Sequence, residues 1–188
     1  MRITEKIILK TTLEERLIHT ALIFDEIRKI FADKETFKEL GLIFMTKKYE
    51  NREFYVMFGD DKSGRHITRI QIKDSPAEAI DFTNTLPVKC EKENYILMAA
   101  LLNRMNKMRF GTFTLGESDG SITFNYSYCL FGQRFSHAYF LFYLQATQRM
   151  CMSCLDEIKR IAIGRLSEDE KKQFLSDIET LADCLLNR

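Results

Sequence analysis

The spacing of the apolar residues changes period four times along this chain, and an alternation of that kind admits few architectures. Leu13, Leu17, Ala21, Phe24, Ile27 and Phe31 recur at helical intervals, with Glu14, Arg16, Asp25, Arg28 and Lys29 elsewhere on the wheel. Thr12-Leu13-Glu14-Glu15 is a capping box, which places the helix start there. Asp33 is expected to cap a short second helix through Leu40, ended by Gly41. From Leu42 the period falls to two. Leu42–Tyr49, Glu53–Gly59 and His66–Lys73 read as strands of an antiparallel meander, separated by turn sequences at 49–52 and 60–64. Ala77–Thr85 adds a further extended piece between Pro76 and Pro87.

Helical spacing returns over Glu91–Met108, with Asn94, Met98, Leu101, Met105 and Met108 on one stripe. Two more strands follow, Phe110–Leu115 and Ser121–Leu130, joined by Gly116-Glu117-Ser118-Asp119-Gly120. Ser136 then caps a long helix, with Phe140, Tyr143, Thr147, Met150, Cys154, Leu155, Ile158 and Ile161 on its apolar side and Gly164 at its end. A second capping box, Ser167-Glu168-Asp169-Glu170, opens a last helix with the stripe Phe174, Ile178, Leu181 and Leu185. The fold class is α+β. The order is α-β-β-β-α-β-β-α over residues 1–164, followed by an amphipathic helix at 165–188 that docks on this domain or on a partner.

Composition narrows the function. At 188 residues, 45% hydrophobic and 29% charged, the chain builds one core. Its 28 Lys and Arg against 27 Asp and Glu leave no field to attract nucleic acid or an anionic membrane. The apolar run Ile7–Leu9 is too short for a signal-peptide core, and Ala138–Leu144 is interrupted by Gln145, Gln148 and Arg149 far short of the ~20 residues a membrane span needs. A soluble, cytoplasmic protein with its 5 cysteines reduced is the expectation.

The stretch from Leu101 to Leu115, with Asn103, Asn106 and then Phe110-Gly111-Thr112-Phe113, resembles the helix-to-strand passage of the bacterial YbjN-like proteins, which are related to type III secretion chaperones. In that family an Asn-bearing helix runs into a strand of form Phe-Gly-x-Phe. Ser118-Asp119-Gly120 and the helix after Leu130 fall where the family has a hairpin and a helix, so the resemblance covers about Leu13 to Gly164. It implies a dimer-prone sandwich that binds another protein, with no catalytic residues and no cofactor.

No constellation of reactive residues contradicts this. Cys151-Met152-Ser153-Cys154 is a CxxC, but it lies about four turns inside a helix, far from the terminal N–H groups that stabilise a thiolate. Packing is its expected role, and thiol redox at Cys151 and Cys154 is the alternative. His19, His66 and His137 are single and scattered, with surface or capping roles expected, and Asp60-Asp61 lacks the ligand alternation of a calcium loop. The excess lies in aromatics, 15 Phe and 7 Tyr. Phe131, Phe135, Tyr139, Phe140, Phe142 and Tyr143 surround one helix start and cannot all face one core. The candidate protein interface is therefore Phe135, Tyr139, Phe142 and Tyr143, together with Phe174, Ile178 and Leu181. The expected activity is that of a non-enzymatic chaperone-like or regulatory adaptor, binding a protein segment on its sheet or helical face. A homodimer is expected, and a purely architectural homodimer is a further alternative.

Overall fold

The chain forms a single six-stranded antiparallel sheet whose strands at 53–60, 64–73, 79–89, 112–115 and 121–129 place core residues on one side, which three helices cover among the described residues. The structure is a computed structural model that describes residues 13–33, 35, 43–44, 53–60, 64–74, 78–107, 110–130, 133–164, 166–173 and 175–176. Its elements are α1 (Leu13–Ala32), β1 (Ile43–Phe44), β2 (Glu53–Asp60), β3 (Gly64–Lys73), β4 (Ala79–Lys89), a 3-10 turn (Lys92–Asn94), α2 (Tyr95–Met105), β5 (Thr112–Leu115), β6 (Ser121–Cys129) and α3 (His137–Ile163). Residues 168–173 and 175–176 are again helical. The sheet order is β1-β2-β3-β4-β6-β5, so α2 carries the chain past β6 and β5 returns at the edge.

Register shows why one face is dry. Val56, Thr68, Asn84, Phe124 and Phe113 form one cross-strand row, and Phe54, Ile70, Phe82 and Tyr126 the next, all under the helices. The alternate residues face water and pair with each other. Arg69 meets Glu53, Lys73 meets Asp81, the Ser127 hydroxyl donates to Asp81 at 2.6 Å, and Thr114 and Thr123 share a hydrogen bond of 2.7 Å.

The α+β class stands, with differences of detail. β4 does not stop before Pro87 but continues to Lys89, because its register with β6 shifts between Thr85 and Lys89, where a missing N–H is tolerated. The expected strand Leu42–Tyr49 is described only at Ile43–Phe44, so four strands precede α2, one of them of two residues. Residues 36–42, where a short helix was expected, lie outside the described residues, as do Phe174, Ile178, Leu181 and Leu185. Helix α1 carries apolar residues on more than one side, and the face it buries is Thr20, Ile23, Ile27 and Ile30 rather than the stripe through Leu17 and Ala21. The isoleucine face bears more apolar surface than one centred on alanine, and the flanking rings of Phe24 and Phe31 pack on Phe54 at 4.7 and 5.3 Å.

Helix α3 ends without the left-handed glycine expected at Gly164, whose backbone is extended. Its last carbonyls are taken instead by the buried Asn94, whose amide donates to Ala162 and Gly164, and by the Glu91 N–H. The second capping box closes as expected, the Ser167 N–H donating to Glu170 at 2.8 Å and the Glu170 N–H to the Ser167 hydroxyl at 3.3 Å. Leu166 and Leu175 pack against the core.

His66, expected at the surface, is fully buried on the inner face of β3, in phase with Thr68, Ile70 and Ile72. Its ring stacks on Phe58 at 4.8 Å, and neither ring nitrogen has a hydrogen-bond partner among the described residues. Burial, with the nearby Lys159 charge second, lowers its pKa to about 4. Between pH ~6.5 and ~4 the unfolded chain therefore binds a proton that the folded chain refuses, so stability falls as pH drops through that window and levels off below it. The expected loss is of order 2–3 kcal/mol. Denaturant titrations at stepped pH check it, and His66→Leu should flatten the profile over the same window.

Candidate functional site

Helix α3 spans 27 residues and presents two faces. The Ser136 hydroxyl accepts from the Tyr139 N–H to cap it. Phe140, Leu144, Thr147, Gln148, Cys151, Leu155, Ile158, Ile161 and Ala162 are buried against the sheet and its neighbouring helices. About a third of a turn round, Tyr139, Phe142, Tyr143, Ala146, Arg149, Met150 and Ser153 share one stripe, each with neighbours three or four residues away. None of these is buried, and Tyr139 and Phe142 are each 60% exposed.

Beside this second face the chain makes a corner that builds the other wall. Asn106, just past α2, uses its side-chain amide as a strand would: Nδ2 donates to the Phe113 carbonyl at 2.8 Å and Oδ1 accepts from the Phe113 N–H at 2.6 Å. That seals the free edge of β5 at Phe113. Gly111 has φ of 72°, and a Cβ there would collide with the Phe124 ring, so only glycine fits. Phe110 is thereby held over Tyr126, the rings stacked at 4.5 Å, and Phe113 is buried against Phe124 at 4.7 Å. The Phe-Gly-x-Phe sequence and the asparagine before it thus form one packing unit.

Between this corner and α3 lies an open groove of about 550 Å³, lined by Phe110, Tyr126, Phe142, Tyr143, Ala146, Arg149, Met150 and Ser153. Its floor is rigid. Tyr143 stacks on Tyr126 at 5.1 Å and lies 4.8 Å from Tyr128, and Phe142 meets Tyr143 edge-on at 5.3 Å. The Tyr126 hydroxyl is held far above its ordinary pKa, first by burial and then by its hydrogen bond with Tyr143. It stays a neutral phenol. Among the described residues Arg149 is the one charged residue lining the groove.

Of the residues expected at an interface, Tyr139 and Phe142 stand in solvent and Tyr143 is half-buried in the groove floor. Phe135 is turned inward as well as out: half-buried, it packs against the core at Phe140, 5.8 Å away. Phe110, Tyr126, Ala146, Arg149 and Ser153 complete the groove and were not anticipated, and Met150, expected like Tyr143 and Cys154 on the buried side of the helix, is half-buried and lines it too. The heptad-like spacing from Tyr139 to Ser153 was the available signal, obscured by reading the helix for one apolar side only.

The alternative chemistry finds little support in the geometry. Cys151 is completely buried, and burial holds its thiol far above the ordinary value, so it is neither a nucleophile nor a good ligand at neutral pH. His19 binds the buried Glu78 at 3.1 Å and His137 binds Glu26 at 2.9 Å, which ties α1 to the start of β4 and of α3. Among the described residues no group of three or more His, Cys, Asp or Glu is placed to hold a metal ion, and no helix is long and apolar enough to cross a membrane. Compared with protein-family models and with curated proteins, the chain finds no match in either.

Replacing Cys151 and Cys154 together by serine should cost about 1–3 kcal/mol and leave the native mass in solution unchanged, since the thiols only fill space. Thermal melts and alkylation rates against pH check this. A thiol that reacts as a thiolate near neutral pH would contradict it.

Proposed function

We propose that this chain is a non-catalytic protein-binding module, chaperone-like or adaptor in kind, and that its binding face is the aromatic groove along α3. One observation carries the reading: Phe142 stands 60% exposed in a groove lined by four aromatic rings, with Tyr139 equally exposed on the same helix, whose other face is buried. Exposed aromatic surface of this kind costs solubility unless something covers it, and aromatic and Met side chains are enriched at protein interfaces. The resemblance to YbjN-like and type III secretion chaperone-like proteins agrees with such a role, in the cytoplasm, without nucleic acid or membrane as ligand.

Docking on the sheet edge is the less favoured form of the reading. An added strand needs unpaired N–H and C=O groups, and at Phe113 the Asn106 amide already takes both. The groove offers side chains only. Its occupant must satisfy its own backbone, which favours a helix over an extended segment.

A benzophenone amino acid placed at Phe142 should give one discrete covalent adduct on irradiation in cells. The control is the same group at Ile96, which is 76% exposed on α2, away from the groove. Non-specific stickiness labels both positions. An adduct at 142 absent from 96 supports a binding face, and no difference between them overturns it.

A further inference from the structure

Two polar groups are buried at one level of the core with their hydrogen bonds unmade. The Asn84 Nδ2 and Gln148 Nε2 amide groups have no hydrogen-bond partner among the described residues, although Asn84 is completely buried and Gln148 only 7% exposed. Helix α3 and strand β4 bring them together. The Phe140 ring lies 5.8 Å from Phe82, and the Glu91 N–H donates to the Ala162 carbonyl at 2.9 Å, so helix and strand run side by side in one direction. Residues 140–162 of the helix and 82–91 beside them are about 33 and 30 Å long, which keeps the two in step. Gln148 therefore stands over β4 just past Asn84, and a helical side chain leans back toward the helix N-terminus, here over Asn84. Gln148 is also on the side of α3 that looks to β3. Lys159, about three turns further on, acts on His66 of that strand, where burial first and the Lys159 charge second lower the pKa.

We infer that this layer is a binding site for one internal water molecule, held by Asn84 and Gln148 between α3 and the sheet. The hydrogen-bond accounting closes on it. The Thr68 hydroxyl donates to Asn84 Oδ1 at 2.6 Å, which commits its proton and leaves its oxygen free to accept. A water beside this pair receives one N–H from each amide and gives a proton to the Thr68 oxygen, about the three bonds that an internal water makes. Room for it comes from the same layer. On β2, β3 and β4 the short side chains Val56, Thr68 and Asn84 form one row, where the next row has Phe54, Ile70 and Phe82. On α3 the short Thr147 and Cys151 are completely buried beside Gln148. Both orphan groups are neutral N–H donors, which suits a neutral acceptor of the size of water rather than a cation or a buried anion. The water ties α3 to β3 and β4 behind the stretch of helix whose other face carries Phe142, Ala146 and Arg149. It fixes the floor of the groove whatever fills the groove.

The test uses the full chain in solution. In water-to-protein NOE spectra of the isotope-labelled chain, the side-chain amides of Asn84 and Gln148 should both show cross-peaks to a water that stays longer than the molecule takes to tumble. Relaxation dispersion of the solvent oxygen counts such waters. Gln148→Met, which keeps the length of the side chain and removes the donor, should lose one of them. Asn84→Leu should lose the same one, with no further loss in the double variant. Gln145→Met, half-buried on another side of the same helix, should lose none. Native amides at 84 and 148 without a water cross-peak overturn the inference even where a variant fails to fold. A count that Gln148→Met leaves unchanged, or that Gln145→Met lowers equally, overturns it too.

Discussion

A sheet that is apolar on one side only must be covered on that side, and in this protein the cover is chiefly α3 laid along β4. The contact is specific: the buried Phe140 ring sits 5.8 Å from both Phe82 of β4 and Phe31 of α1, which joins the sheet and two helices at one point. The far end of α3 is fixed by Asn94 and Glu91, which take the carbonyls that helix termination leaves open. The remaining elements follow from this placement. Helix α1 closes the core over β3, α2 fits beside α3 with Arg104 on Glu157, and β5 folds back at the edge under the Asn106 amide.

A helix 27 residues long needs only one stripe to serve a core, and the rest of its circumference is free for other use. In α3 that remainder is not the charged surface of an ordinary solvated helix. Two large rings are left in water, a third is stacked into a groove floor, and Arg149 is the one charged residue lining the groove among the described residues. Residues two apart in sequence, Phe140 and Phe142, therefore do opposite work. The first is fully buried in the core and the second stands 60% exposed. The buried thiol of Cys151 belongs to the first group, and its burial raises its pKa.

Much of this was legible in the residues. The changes of period placed every long element, because helix and strand burial impose different spacings, and the caps at Ser136 and Ser167 are where side-chain chemistry put them. What escaped were choices made by tertiary packing. Helix α1 offers two apolar stripes, and only contact with Phe54 selects the isoleucines. His66 alternates in phase with Ile70 and Ile72, yet a polar residue invites a surface reading unless that phase is followed. Pro87 looked like a strand end, and only the shifted pairing with β6 lets the strand pass through it. The groove needed Phe110 and Tyr126, which come from different elements and meet α3 only when Gly111 and Asn106 have set the corner.

The claim that Phe142 belongs to an interface rather than to its own core is tested most directly by fluorine NMR of the full chain carrying a trifluoromethylphenylalanine at position 142. In the pure, dilute protein the account predicts a resonance strongly relaxed by a water-soluble paramagnetic agent, as expected of a ring that stands 60% exposed. A resonance that the agent leaves untouched would place the ring in the core and contradict it.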